Sequence, residues 1–179
     1  MSFKKDMGLA EAEEIALDFL AKTKDLYSRS LLAGSIRRRE RVVHDIDFAV
    51  IPKGKSFGVW KDKVTERVRE IGGQVATFGE VISNFRYRGA QVNLFLCLNK
   101  DAWGVTQMWA TGHKGHTIGM TIKARERGFV INSKGLWTRE DPPRLIATKT
   151  EEEVGRLLGW RFKPPEARGK GSKQTPSFL

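Results

Sequence analysis

The sequence predicts an α+β fold, in which a mixed β-sheet is flanked by helices and followed by a small α/β lobe. Short apolar or alternating runs, which are typical of strands, occur at 30–33, 45–51, 74–78, 81–88 and 91–98. Apolar residues at helical spacing occur at 9–27 and 58–71. Beyond residue 100 the pattern becomes mainly helical, which indicates a second part of the fold.

The elements of the first part follow from local patterns. The first helix is predicted by apolar residues at helical spacing, namely Ala12, Ile15, Ala16, Phe19 and Leu26. The strands at 30–33 and 45–51 are short apolar runs, and the second ends at Pro52. A Gly-Gly pair then ends the helix at 58–71. Three strands follow, with turns at 79–80 and 89–90.

The last of these strands places Asn93 on one face, because apolar residues alternate with it and occupy the other face: Val92, Leu94, Leu96 and Leu98. The second part contains helices at 101–109 and 114–127, then a short hairpin and a final helix, at 129–132, 136–139 and 150–158. We expect a sheet domain over 1–100 and a C-terminal lobe over 101–167. The basic tail, 168–179, is too polar to fold alone, and we expect it to be disordered.

The charge of the chain points to a polyanionic partner. The 179 residues include 32 Lys and Arg against 21 Asp and Glu, a formal net charge of +11. Nucleic acid fits this excess better than an anionic membrane, because no basic amphipathic helix with large apolar anchors is found. No apolar run approaches the ~18–20 residues that span a bilayer. With one cysteine, Cys97, and no secretory signal, we expect a soluble intracellular protein.

The most informative motif is a Gly34-Ser35 turn followed by Asp45 and Asp47. The turn comes directly after an apolar strand, so its backbone N–H groups are placed to contact phosphates. Alternate side chains of a strand share a face, and the two carboxylates therefore converge. Two hard oxygen ligands beside a phosphate cradle suit a magnesium-bound nucleoside triphosphate.

These residues resemble the palm signature of the family X DNA polymerases, the group that contains polymerase beta. The signature here is Gly34-Ser35-x-Arg37-Arg38 with Asp45-x-Asp47. Further segments resemble the family in the same order, over about 28–168, namely Trp109-Ala110-Thr111-Gly112, 126–132, 135–137, 150–153 and 164–168. The resemblance implies a nucleotidyltransferase palm over 1–100 and a thumb- or fingers-like lobe over 101–167, with no separate lyase domain.

One position departs from the family pattern. Relatives have a third catalytic aspartate on a later strand, which completes the shell of the catalytic metal and helps to deprotonate the primer 3′-hydroxyl. Asn93 occupies that position, and an amide oxygen coordinates weakly and cannot accept the proton. The resemblance implies catalytic and metal-binding roles for Asp45, Asp47 and Asn93, with two Mg²⁺ ions for which Mn²⁺ can substitute. It favours metal and nucleotide binding over fast chemistry.

The resemblance also implies substrate contacts. The expected nucleotide-binding residues are Gly34, Ser35, Arg38, His44, Trp109, Ala110, Thr111, Gly112 and Thr117. The expected DNA-binding residues are Arg37, Arg39, Thr121, Lys123, Arg125 and Arg127, of which the last three are predicted to form one basic face. Ala110 replaces a second aromatic residue, which suggests altered discrimination between ribose and deoxyribose. The short side chains of Thr117 and Thr121 remove minor-groove donors and predict relaxed fidelity.

The chain is therefore predicted to be a minimal, monomeric family X-like DNA polymerase. It is expected to transfer dNMP from dNTP to a DNA 3′-hydroxyl in gap filling or repair synthesis, with activity reduced by Asn93. Two alternatives stay open: a catalytically impaired protein that binds DNA ends and nucleotides, and a nucleotidyltransferase that acts on RNA ends. The C-terminal residues 174–179 weakly resemble a sliding-clamp-binding peptide, although disorder is favoured.

Overall fold

A computed structural model describes residues 5–54 and 56–168. The helices are α1 (Leu9–Thr23), α2 (Gly34–Arg37), α3 (Phe57–Glu70), α4 (Trp103–Thr111), α5 (Lys114–Glu126) and α6 (Glu151–Leu157). The strands are β1 (Met7–Gly8), β2 (Tyr27–Leu32), β3 (Val42–Val43), β4 (Ile46–Pro52), β5 (Gln74–Thr77), β6 (Ile82–Tyr87), β7 (Ala90–Leu96), β8 (Val130–Asn132), β9 (Gly135–Trp137) and β10 (Leu145–Ile146). None of the helices in the described ranges is both long enough and apolar enough to cross a bilayer.

The main sheet has five strands in the order β2-β4-β7-β6-β5. The central pair, β4 and β7, is parallel, and the other pairs are antiparallel. The parallel register sets Asp47 directly beside Asn93. The sequence prediction of a mixed sheet is thereby confirmed, and its centre is where the candidate site residues meet.

The two faces of the sheet are packed differently. Helices α1 and α3 cover one face with large side chains, and Phe19 of α1 stacks on Phe48 of β4 at a centroid distance of 6.0 Å. The opposite face is packed with small residues, among them Ala33 and Ala49, against Ala110 of α4. Small side chains permit close approach of a helix to a sheet, so α4 lies directly on the sheet surface that includes Asp47.

The C-terminal lobe, residues 101–168, has a hydrophobic core of its own. Its helices pack around Met120, Leu136 and Leu158, which are fully buried. A three-stranded antiparallel sheet in the order β10-β9-β8 completes the lobe. The hairpin of β8 and β9 matches the predicted hairpin, whereas β10 was not predicted.

Several boundaries differ from the sequence prediction. The first helix ends at Thr23 and is followed by a 3₁₀ turn, Lys24–Leu26, and β2 begins at Tyr27. Gly34 begins a short helix instead of a simple turn. Arg168, assigned to the tail, is fully buried in a 3₁₀ turn, because an internal carboxylate binds it. The rest of the predicted tail, including the clamp-like peptide, lies outside the described residues.

Candidate active site

The candidate site is centred on a contact between two neighbouring strands. Asp47 of β4 and Asn93 of β7 are register partners, and the Asn93 Nδ2 donates a hydrogen bond to the Asp47 Oδ1 at 2.8 Å. Asn93 is only 5% exposed, whereas Asp47 is half-buried. The prediction that the strand alternation brings residue 93 to the surface of Asp47 is consistent with this geometry, although its role as a metal ligand is a separate question.

The glycine-serine turn lies against the same carboxylate. The Ala33 N–H donates to the Asp47 carbonyl at 2.7 Å, which fixes the turn to the start of β4. Gly34 has a φ of +58°, and a Cβ at this position would overlap the Asp47 side chain. Only glycine combines that backbone conformation with such a close approach. The structure therefore brings together the turn and the carboxylate that the sequence motif links.

Ser35 is the feature that points most directly to a ligand. Its hydroxyl is buried at the start of α2, and the Oγ has no hydrogen-bond partner among the described residues. A buried hydroxyl is normally hydrogen-bonded, because an unmet donor costs about 1–3 kcal/mol. A bound phosphate would supply the missing acceptor, which agrees with the predicted role of Ser35.

Asp45 occupies a half-buried bend directly before β4, not the strand itself. Across the described ranges, no three His, Cys, Asp or Glu side chains form a cluster that could hold a metal. Binding of a divalent ion by Asp45 and Asp47, which the resemblance implies, stays a prediction. Two carboxylates are a fitting donor set for one hard cation that also binds a triphosphate. Asn93 presents nitrogen, not oxygen, toward Asp47.

Arg38 lies between the turn and the C-terminal lobe. Its Nε donates to the Glu40 carboxylate at 2.9 Å, and its Nη1 donates to the Thr111 carbonyl. Gly112 follows with a φ of +62°, and a Cβ there would lie 3.3 Å from the Arg38 guanidinium. The Gly112–His113 peptide bond is cis. The predicted nucleotide residues Arg38, Thr111 and Gly112 are thus brought together, and the structure also joins Glu40 to them.

Arg37, for which a DNA contact stays a prediction, is bound by residues of the C-terminal lobe. Its guanidinium donates to the Thr111 hydroxyl at 2.7 Å and to the Glu151 carboxylate at 2.8 Å. Glu151 also accepts from Arg168 at 2.9 Å, and both of these residues are buried. Arg37 is therefore engaged inside the protein, where it connects α2 to the C-terminal lobe, because a buried carboxylate requires cationic partners.

The remaining residues that are predicted to bind the nucleotide lie in different environments. His44 is exposed, and its Nδ1 lies 2.6 Å from a carboxylate oxygen of Asp6. Trp109 is half-buried against the core of the C-terminal lobe. Ala110 is 4% exposed and packs against the sheet, so its effect on a nucleotide pocket is indirect. Thr117 follows the Gly112 turn on α5 and is half-buried.

The predicted basic face on α5 is wrong as a single face. A helix turns about 100° per residue, so Lys123 and Arg125 point in nearly opposite directions. Lys123 is largely buried and pairs with Glu126 at 2.7 Å, whereas Arg125 is exposed. The guanidinium of Arg127 lies against Gly159.

The two other predicted DNA residues lie at the surface. Thr121 is exposed, and its hydroxyl donates to the Thr117 carbonyl at 3.0 Å. Arg39 is exposed and forms an ion pair with Glu13 of α1. Both DNA contacts stay predictions, because surface exposure alone does not identify the molecule that is bound.

Sequence reasoning missed Gln91, Glu151 and Arg168. Gln91 donates through its Nε2 to the Asn93 Oδ1 at 2.9 Å. Its position two residues before Asn93, on the same face of β7, is a signal that could have identified it. No local pattern identifies Glu151, because its partners Arg37 and Arg168 lie far away in sequence.

His116 of α5 is buried near several cationic side chains, among them Arg168. Its ring stacks on Trp160 at a centroid distance of 4.8 Å, and its Nδ1 has no partner among the described residues. Burial, together with the nearby Arg168 and other cations, lowers the pKa of His116 to about 3. The ring is therefore neutral at physiological pH.

We expect the fold to lose stability in acid because of His116. The unfolded chain takes up a proton below about pH 6.5, whereas the folded chain does so only near pH 3, so stability falls as the pH drops through this window. The loss at pH 5 should be about 2 kcal/mol. Urea unfolding at pH 7 and pH 5 measures it, and His116→Phe should remove most of the difference. Met120→Leu, a buried change without a titrating group, should retain it, and equal pH dependence in both variants would refute the assignment.

Comparisons with known proteins agree with the fold and the motif. The DNA polymerase beta thumb family matches residues 106–169. "Repair DNA polymerase X" of African swine fever virus (isolate Tick/South Africa/Pretoriuskop Pr4/1996) is 22% identical over 160 residues, which cover 86% of this chain and 90% of that protein. The same protein of isolate Warthog/Namibia/Wart80/1980 is similar to the same extent.

Solved structures show the same architecture. The crystal structure of Leishmania infantum polymerase beta, in a ternary P/T complex, superposes with a TM-score of 0.76 and 16% sequence identity. The match covers 94% of this chain and 78% of that one. The order of the sheet, the turn against Asp47 and the matched thumb segment agree with one another, and over most of its length this chain is similar to repair DNA polymerase X and has the fold of polymerase beta.

Proposed function

We propose that the protein is a DNA-directed DNA polymerase that transfers a deoxynucleoside monophosphate from dNTP to a primer 3′-hydroxyl. The supporting observation is the contact between the Asp47 carboxylate and the Gly34-Ser35 turn, with its buried, unpartnered Ser35 hydroxyl. Gap filling in repair is the substrate context that we propose, since the viral relatives are named repair DNA polymerases.

DNA polymerases generally use divalent metal ions, and we propose Mg²⁺, with Mn²⁺ able to substitute. When bound, the ions neutralise charge on the triphosphate and on the attacking and leaving oxygens. Asp45 and Asp47 would hold them, and the hydroxyl of Ser35 would bind a phosphate oxygen. Arg38 adds a cation that the Thr111 carbonyl and Glu40 hold in place. The catalytic contribution of the chain is positioning together with charge neutralisation.

The electrostatics of the chain support DNA as the partner. The net charge of +11 attracts the phosphate backbone, and the exposed Arg39, Arg125 and Thr121 are available at the surface. We propose that these residues contact primer–template DNA. Such contacts fix the position of the duplex but do not select its sequence.

Primer extension tests the proposed function. A one-nucleotide gapped DNA and a matched RNA primer are each incubated with the four dNTPs or the four NTPs, Mg²⁺ and the full chain. We expect extension of the gapped DNA with dNTPs, and loss of it in Asp47→Ala, because that variant removes a charged metal ligand. Preferential extension of RNA would favour a nucleotidyltransferase of RNA ends.

A second candidate function is favoured by the orientation of Asn93. Its amide nitrogen faces Asp47, so neither a third carboxylate nor a proton acceptor is present at that position. The protein could then act mainly as a binder of DNA ends and nucleotides. Tight binding of dNTP and gapped DNA without extension, with Mg²⁺ or with Mn²⁺, would support this second function and contradict the first.

A further inference from the structure

We propose that Gln91 locks the Asn93 amide in the orientation that Asp47 selects, and so holds Asn93 as a hydrogen-bond donor to Asp47 instead of a metal ligand. Gln91 is thus a positioning residue that weakens binding of a second divalent ion. The inference rests on the proposed polymerase function, because it concerns the metal site of that reaction.

Three side chains form a continuous hydrogen-bonded chain. The Gln91 Nε2 donates to the Asn93 Oδ1 at 2.9 Å, and the Asn93 Nδ2 donates to the Asp47 Oδ1 at 2.8 Å. Gln91 and Asn93 share a face of β7, and Asp47 is beside Asn93 on the parallel neighbour β4. Asn93 is 5% exposed, so its amide has little access to water that could replace these partners.

The direction of these two hydrogen bonds follows from which groups of Gln91, Asn93 and Asp47 can donate and which can accept. An ionised carboxylate only accepts hydrogen bonds, so the group that faces Asp47 must be the amide NH₂ of Asn93. The oxygen of Asn93 then faces Gln91, which must offer its own NH₂. If the Asn93 amide turned over, two oxygens would face each other at Asp47 and two NH₂ groups would face each other at Gln91.

The other polar neighbour does not compete with Gln91. Asn84 of β6 is the register partner of Asn93 on its other side. The Asn84 Nδ2 donates to the Thr77 hydroxyl at 2.6 Å, which directs that amide toward β5. Of these two neighbouring amides, it is Gln91 that binds the Asn93 oxygen and holds it away from Asp47.

A change from donor to acceptor at residue 91 should reverse the direction of these hydrogen bonds. In Gln91→Glu the new carboxylate competes with Asp47 for the Asn93 NH₂, and a cation bound at Asp47 then favours the arrangement in which the Asn93 oxygen faces that cation. Two oxygens that face each other form a favourable site for a divalent cation and an unfavourable one without it. Residues that orient a metal ligand typically change metal affinity roughly 10–100-fold.

Counting bound Mn²⁺ tests the proposal. The full chain, gapped DNA with a 3′-dideoxy-terminated primer and the complementary dNTP form an unreactive complex, and electron paramagnetic resonance measures free Mn²⁺ during a titration. We expect one tightly bound ion in the wild type, and a second ion bound at least about tenfold more tightly in Gln91→Glu than in the wild type. Gln74→Glu is the matched control, since it adds the same charge on exposed β5 and should behave as the wild type does.

The outcomes separate this inference from the proposed function. Two ions bound with equal affinity by the wild type, or equal titrations for Gln91→Glu and Gln74→Glu, would overturn the role of Gln91 and leave the polymerase function intact. Mn²⁺ binding that does not increase when dNTP is added would contradict the polymerase site itself, and the inference with it.

Discussion

We expect Asn93→Asp to raise the rate of nucleotide transfer by ~100–1000-fold, which corresponds to about 3–4 kcal/mol of transition-state stabilisation. A carboxylate at residue 93 adds a charged metal ligand and an acceptor for the hydroxyl proton. Gln91 can still donate to one of its oxygens, whereas the hydrogen bond from residue 93 to Asp47 is lost. Single-turnover extension of gapped DNA measures the effect.

The same substitution should also change stability in a metal-dependent way. Residues 47 and 93 are register partners on adjacent strands, so two carboxylates there repel each other unless a cation lies between them. The melting temperature of Asn93→Asp should be lower than that of the wild type in EDTA, and it should recover with Mg²⁺. Asn84→Asp, one strand further from Asp47, should show neither effect. An unchanged extension rate in Asn93→Asp would favour the binding function or a different base.

Glu151→Gln should destabilise the fold by about 3–5 kcal/mol, the range observed when one partner of a buried ion pair is removed. The Glu151 carboxylate is 3% exposed and accepts hydrogen bonds from two arginines, Arg37 and Arg168. Glutamine has nearly the same shape but no charge, so two positive guanidinium groups would remain together without a counter-charge. Arg168 is fully buried, so water cannot solvate its charge in place of Glu151.

Urea unfolding provides the measurement for this prediction. Glu152→Gln is the matched control, because Glu152 is the next residue of α6 and is exposed. We expect that control to change stability by less than about 0.5 kcal/mol. Similar unfolding midpoints for the two variants would show that the Arg37–Glu151–Arg168 cluster does not stabilise the junction between the sheet and the C-terminal lobe.

The main sheet could be predicted from sequence because strands such as β6 and β7 bury apolar residues at alternate positions. Val92, Leu94 and Leu96 alternate and are all buried in the core, as expected. The ribbon of β1 and β3 could not be predicted, since strands of two residues have no measurable period. The short strand β10 escaped prediction for the same reason.

The site could be predicted only where its residues are close in sequence or on one strand. The turn at Gly34 and the carboxylate of Asp47 meet because the turn follows the end of β2 and Asp47 lies at the start of its antiparallel neighbour β4. The contact of Arg37 with Glu151 could not be predicted, because the two residues are more than a hundred positions apart and a sequence motif does not reveal such contacts. The basic face on α5 could have been rejected from sequence, because helical spacing alone places Lys123 and Arg125 on opposite sides of the helix.

The pairing of β4 with β7 separates the residues near Asp47 from those of the C-terminal lobe. Backbone hydrogen bonds join these strands along their length, so the spacing between Asp47 and residue 93 belongs to a rigid frame. Trp109 and Thr117, in contrast, lie on helices α4 and α5 of the C-terminal lobe and are not part of that backbone ladder. If this lobe were exchanged for that of a relative, the preference for sugar or base should therefore change, while the spacing between Asp47 and residue 93 stays the same.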